Sequence, residues 1–276
     1  MDQPPPTPVT ALTEIYDLDP AAVERFQRNG HVVLPGVASR AEVDEYRSAI
    51  QRGAHALRRE HRPLEERDTY GRAFLQSCNL WRVEPTVERF VRAPRFGRMA
   101  AALLGVERVR LYHDQALFKE PAGGHTPWHQ DEFYWPLDTE HTVTMWMPLH
   151  DVGTEMGLMA FADGSHRLGD LRGREISDRS EAEFAALVAE QGLHVSETPA
   201  LAAGDASFHA GWTLHCAGAN TTDEVREAFT IIYFADGARL REPRNPYERF
   251  DAAVWLPGVD VGGIAASPIN PMIATR

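Results

Sequence analysis

The chain reads as a mostly β protein with flanking helices, and three observations carry that reading. Runs rich in β-branched and aromatic residues fill Val109–Lys119, Thr142–Leu149, Ala206–Cys216 and Ala228–Phe234, the composition of strands packed on a core. The residues before Val109 carry helix caps and helical apolar spacing instead. No internal repeat or interdomain linker divides the 276 residues, so one domain spanning 1–276 is expected, with its β-rich core at 109–235.

The elements follow in order. The opening segment, residues 1–11, is Pro-rich and expected to be disordered. Asp19 caps a first helix, Pro20 takes its first position, Val23 and Phe26 face inward, and Gly30 ends it. Ser39 and Glu42 form a capping box for a second helix, whose apolar stripe is Val43, Tyr46 and Ile50. Two more are expected at Thr86–Val91 and Arg95–Leu104, the latter ended by Gly105. An inserted helix at Ser180–Glu190, with Ser180 and Glu183 as its capping box, interrupts the strands. The tail, 237–276, is punctuated by Pro243, Pro246, Pro257, Pro268 and Pro271 and is expected to wrap the body without regular structure.

Composition narrows the function classes. Hydrophobic residues make up 43% of the chain, enough to build a large core. A net charge of −12 gives no support for nucleic-acid binding, and the one basic run, Arg58-Arg59-Glu60-His61-Arg62, is broken by acid and reads as a solvated helix face. Two cysteines, Cys78 and Cys216, are too few for a disulfide framework, which fits a reducing cytoplasm. No apolar stretch reaches membrane-spanning length, and the N-terminus lacks a signal-peptide pattern. The expected partner is a small molecule, with neither nucleic acid nor membrane involved and the oligomeric state left open.

The chemistry sits in three separated residues. His129 and Asp131, in Trp128-His129-Gln130-Asp131, are two apart, so on a strand they share a face and can share a metal. His215, on the run Ala206–Cys216, would supply a third ligand from a neighbouring strand. Two His and one carboxylate leave the opposite metal positions open, the facial triad of non-haem Fe(II) oxygenases. A His-x-Asp pair by itself is a weak signal in a chain holding 12 His, and the flanking sequence strengthens it.

From about Asp19 to Asp236 the chain resembles the phytanoyl-CoA dioxygenase family. The resemblance lies in Phe26–Gly36, Trp128–Asp131 with Phe133-Tyr134-Trp135, Gly157–Ala160 leading to Gly164–Arg167, and Ala203-Gly204-Asp205 through His215, Gly218, Asn220 and Arg226. It implies a double-stranded β-helix (jelly-roll, cupin-like) core. It also implies Fe(II) as cofactor, 2-oxoglutarate as cosubstrate, and O2 as oxidant of an unactivated C–H bond, with release of succinate and CO2. By this likeness His129, Asp131 and His215 hold iron, and Arg226 holds the far carboxylate of the oxo-acid. A guanidinium fork suits a carboxylate on chemical grounds too; a surface ion pair with Glu224 or Glu227 is the plainer role for Arg226. Gln115 and Trp146 are expected beside the cosubstrate, although Trp146 serves equally well as core. Where the family often has a hydroxyl two positions after the distal His, this chain has Ala217. Because Asp131 is present, oxygenation rather than halogenation is implied.

Substrate residues are less sharply marked. Tyr134 and Trp135 follow the ligands and form a natural pocket wall, His125 and Lys119 offer polar contacts, and Phe74, with Arg72, falls in a stretch from Leu57 to Asn79 that reads as a lid. The family spans acyl-CoA hydroxylation and bacterial natural-product oxidation; the absence of a basic cluster for a CoA phosphate favours a free small molecule. Hydroxylation is the default outcome, with cyclisation, epimerisation or desaturation as alternatives. A non-oxidative metal-binding jelly roll or a metal-dependent isomerase or hydrolase would have no need of Arg226.

Overall fold

The computed structural model describes residues 12–171 and 175–275, and the disorder expected for 1–11 lies outside the described residues. In chain order the elements are α1 (Pro20–Asn29), β1 (His31–Leu34), α2 (Arg40–Leu57), α3 (Thr69–Ala73), β2 (Leu75–Cys78), α4 (Pro85–Val91), α5 (Pro94–Leu104) and β3 (Arg108–Lys119). They continue with β4 (Thr126–His129), β5 (Thr142–Pro148), β6 (Met159–Ala162), α6 (Asp178–Glu190), β7 (Val195–Glu197), β8 (Ala206–Ala210), β9 (His215–Ala217), β10 (Arg226–Ala235), α7 (Pro246–Trp255) and β11 (Met272–Thr275).

Two antiparallel sheets form the jelly roll. The larger runs β1-β8-β5-β10-β3-β11, with β2 also paired to β3, and the smaller runs β4-β9-β6-β7. Alternation along the central strands divides their side chains between two jobs. Met145 and Met147 of β5, Phe208 of β8 and Phe229, Ile231 and Tyr233 of β10 pack under the helical layer. There they meet Phe26 of α1, Tyr46 and Ile50 of α2, Phe90 of α4 and Phe96 of α5. The intervening residues, among them Gln115, Thr144, Trp146, His209, Arg226 and Thr230, face a cavity whose opposite wall includes His129 and His215 of the smaller sheet.

The N-terminal helices form as their caps dictate. The Asp19 side chain accepts from the Ala21 amide, and Gly30 takes φ 82°, a left-handed conformation that ends α1. Phe26 is buried and Val23 half-buried. The Ser39/Glu42 box is complete, and Val43, Tyr46 and Ile50 are buried on α2. Gly105 ends α5 at φ 71°.

Four expectations are corrected. Ala206–Cys216 is two strands in different sheets, because the chain turns at 211–214 between β8 and β9. The inserted helix begins at Asp178, since Ser177 is the cap and Ser180 completes the box by bonding back to the Ser177 amide; Ser180 is therefore the third helical residue. The basic run Arg58–Arg62 lies beyond the end of α2 and belongs to no helix. The tail 237–276 is not irregular. Asn245 caps α7 and Pro246 starts it, while β11 adds an edge strand to β3. Proline at a first helical position starts a helix, so the same residues that suggested breaks include one that nucleates.

Candidate active site

The smaller sheet sets two of the three proposed ligands. β4 and β9 pair so that His129 lies directly opposite His215, and their rings stand 4.0 Å apart at 51°. Asp131 reaches them by a different route from the one expected. β4 ends at His129, and Asp131 opens a 3-10 turn, so the two are not neighbours on one strand face. The turn is pinned by buried Gln130, whose amide donates to the Gly169 and Trp212 carbonyls while its oxygen accepts from the Leu171 amide. Asp131 Oδ1 then lies 3.6 Å from His129 Nε2 and 3.7 Å from His215 Nε2, and the three ligand atoms fall within 4.8 Å of one another.

Hydrogen bonds assign each atom its job. His129 Nδ1 donates to the Pro127 carbonyl at 2.7 Å and His215 Nδ1 to the Thr213 carbonyl at 3.0 Å, which leaves both Nε2 lone pairs facing the shared point. Asp131 Oδ2 accepts from Thr144 Oγ1 at 2.8 Å and lies 3.2 Å from His209 Nε2, so Oδ1 is the oxygen left toward the histidines. Burial, then the neighbouring His215, pushes His129 down to about 3. Burial, then His209, pushes His215 down to about 4. Burial opposes charge on Asp131, but His215, His209 and His129 together outweigh it and hold the carboxyl below its ordinary range. At neutral pH this is a set of two neutral imidazoles and one carboxylate, which fits a divalent metal with open positions.

Arg226 begins β10 and is only 2% exposed. It makes no ion pair among the described residues, and the expected alternative fails because Glu227 is taken by Arg47 and Gln51. The guanidinium donates to the Gly157 carbonyl at 2.6 Å, stands 5.2 Å from the centre of the Trp146 ring, and has no partner at Nε. Desolvation pushes it down to about 10, so it remains charged at neutral pH. A buried cation without an anion is costly, and one lining the same cavity as the triad fits an incoming carboxylate. Gly157 must be glycine here: φ is 77°, and a Cβ would lie 2.2 Å from the Gly218 carbonyl. Gln115 and Trp146 both line this end, with Gln115 accepting from Gln76 at 2.8 Å and Trp146 also packing against Met159 and Ala217.

The cavity holds about 480 Å³. Phe74, Tyr134 and Trp135 line it, and Trp135 also packs on Tyr112. Within the stretch read as a lid, α3 and β2 are regular elements; Arg72 is exposed and donates to the Glu65 carbonyl. Lys119 and His125 are off the wall. His125 is exposed, and Lys119 is fully buried, donating to the Gly124 and Gly218 carbonyls. Lys119 therefore ties the approach to β4 to the end of β9.

Three site residues had no role assigned from sequence: His209, Thr144 and Thr126. Their signal was weak, since each shares its strand with another polar residue: His129 in β4, Thr142 in β5 and Ser207 in β8. Thr126 pairs with Ala217 in register and lines the cavity along with Arg226, so a hydroxyl stands opposite the position where the family's is missing.

The sequence profile of the phytanoyl-CoA dioxygenase (PhyH) family matches residues 26–228. The chain belongs to the phytanoyl-CoA dioxygenase family. Its place among these non-haem iron, 2-oxoglutarate-dependent enzymes agrees with several proteins it is similar to. A probable alpha-ketoglutarate-dependent hypophosphite dioxygenase of Stutzerimonas stutzeri is 27% identical over 157 residues, 54% of this chain and 52% of that protein, so the match spans about half of that relative. The alpha-ketoglutarate-dependent carbocyclase SnoK of nogalamycin biosynthesis is 27% identical, superposes with a TM-score of 0.77, and covers 93% of this chain and 97% of its own. The epimerase SnoN, solved with Fe3+, alpha-ketoglutarate and nogalamycin RO, is 29% identical with a TM-score of 0.76, covering 92% and 100%. No helix among the described residues is long and apolar enough to cross a membrane.

Proposed function

We propose that the protein is an Fe(II)/2-oxoglutarate-dependent oxygenase that oxidises an unactivated C–H bond of a free small organic molecule, with hydroxylation as the default outcome. One observation carries the reading: a buried Arg226 with no anionic partner among the described residues shares a cavity with a His-Asp-His set. His129, Asp131 and His215 would hold the iron; Arg226 would hold the far carboxylate of 2-oxoglutarate, with Thr126 and Gln115 offering further polar contacts. The bound iron and oxo-acid supply the oxidising chemistry. The protein's own part is orientation and dryness. The histidine Nδ1–carbonyl bonds fix both rings, Thr144 and His209 fix the carboxylate, and the aromatic wall excludes water.

A second outcome is favoured by the relatives at 27% and 29% identity, which are a carbocyclase and an epimerase. Ring closure and epimerisation begin with the same hydrogen removal, so the site described serves either. Product mass separates them: one added oxygen for hydroxylation, two lost hydrogens for cyclisation, no change for epimerisation.

The test is anaerobic absorption spectroscopy of the apoprotein, with Fe(II) added first and 2-oxoglutarate second. A weak visible charge-transfer band that needs both additions is the expected result. Bound iron without that band would overturn the reading in favour of a non-oxidative metal site.

A further inference from the structure

The cavity has a second end, walled by α7. That helix is pinned in place: Asn245 caps it and donates to the Phe133 carbonyl, while Arg241 and Arg244 both hold Glu248. Glu248 is thus a buried carboxylate neutralised twice over. Asp251, three residues on, is the opposite case. It is 7% exposed and lines the cavity, accepting from Tyr112 Oη at 3.0 Å and bonded also to the Trp255 side chain. Both partners are neutral, and no Lys, Arg or His pairs with it among the described residues. Arg226 and Asp251 are therefore two buried ionisable groups of opposite type that share one cavity and have no counter-charge among the described residues.

A second observation points to the same end. His113 of β3 is 4% exposed, lines the cavity, and has no hydrogen-bond partner at Nδ1. Its ring lies 4.9 Å from that of Trp255, whose other neighbour is Phe250 at 6.4 Å. Tyr247, Phe250, Trp255 and Trp135 complete an aromatic surround.

We infer that this end of the cavity receives a protonated amine borne on an apolar, ring-containing substrate, with Asp251 as its counter-charge and His113 Nδ1 as a second acceptor. The inference names the substrate class of the oxygenase site and so rests on the reading above. A desolvated carboxylate is stabilised most by a cation brought to it, and aromatic faces add attraction for an ammonium through their quadrupoles. Burial raises Asp251 to about 8, which marks how much an incoming positive charge has to gain there. Burial also lowers His113 to about 4, so its ring is neutral and able to accept.

The test uses three matched probes: naphthylethylamine, naphthylethanol and naphthylacetate. Each is titrated by calorimetry into the anaerobic protein with Fe(II) and 2-oxoglutarate added, wild type and Asp251→Asn. The expected result is amine binding about tenfold or more tighter than either analogue, equivalent to about 1.4 kcal/mol, and loss of that preference in D251N with alcohol binding and melting temperature retained. Equal affinities in the wild type, an unchanged preference in D251N, or no amine binding at millimolar concentration would each overturn it. Should D251N fail to fold, the wild-type order of the three probes decides alone. The charge-transfer band is recorded on the same samples. Its absence defeats the oxygenase reading whichever probe binds, whereas an intact band without amine preference defeats only the amine.

Discussion

His209 Nε2 lies 3.2 Å from Asp131 Oδ2, the carboxylate oxygen turned away from the two histidines of the triad. His209 Nδ1 has no partner, so the ring's one well-placed bond is spent on orienting the carboxylate. The two belong to different parts of the chain, β8 and the turn after β4, and meet only across the cavity. Removal of an outer partner of this kind costs about 10–100-fold in metal affinity. His209→Leu is expected to bind Fe(II) weaker by about that factor while folding normally, as read by metal titration and thermal melting. Unchanged affinity would show that Thr144 alone suffices.

Arg226→Ala is expected to keep iron and lose the oxo-acid band. Hydrogen bonds to charged groups contribute about 1.5–3 kcal/mol, so an increase in the 2-oxoglutarate Kd of at least tenfold is expected. Arg226→Lys recovers the charge without the planar fork and should restore binding only in part. An Arg226→Ala protein with normal oxo-acid affinity would mean that the carboxylate sits elsewhere.

Thr126 and Ala217 make a reciprocal experiment. Thr126→Val removes one neutral hydrogen bond, about 1 kcal/mol, and is expected to raise the 2-oxoglutarate Kd about fivefold. Adding Ala217→Ser places a hydroxyl on the paired strand, directly across from the lost one. Recovery of affinity in the double variant would show that the oxo-acid takes its hydroxyl from either strand; no effect in either variant would remove Thr126 from the site.

Asp114 supplies the pH prediction. It is fully buried, accepts from the Leu80 amide at 2.9 Å, and is raised by burial to about 7. Because the folded value lies above the unfolded one, the folded state holds the proton more tightly between about 4 and 7. Its contribution to stability is complete below the unfolded value and falls as pH rises through 7. Melting temperatures across that range should show a component of declining stability that Asp114→Asn lacks. Parallel curves for the two proteins would count against it.

Local signals were legible where local physics decides. Asp19, Ser39 with Glu42, and Gly105 mark helix ends because a cap is a contact among residues a few positions apart. The second capping box was misplaced by one turn spacing, because Ser177 and Ser180 satisfy the same amides as the usual Ser and Glu. The tail was misread because Pro246 marks a helix start and a chain break with the same residue.

At the site, His129, Asp131, His215 and Arg226 were legible as residues, while the reason for their convergence was not. A strand face was expected to join His129 to Asp131, and instead a 3-10 turn held by Gln130 does so. Lys119 reads as a polar contact in sequence but spends its N–H donors on backbone carbonyls, a use that exists only once β4 and β9 are brought beside it.

By itself, then, the sequence determined the fold class and the helix caps and named the candidate donor set, since these depend on residue type, short spacing and motif. Only the tertiary structure decided that His209 and Thr144 orient Asp131, that Thr126 faces Ala217, and that Arg226 and Asp251 stand unmatched in one cavity. The physical reason is that burial and counter-charge belong to a group's surroundings. Those surroundings are assembled from strands and helices far apart in the chain.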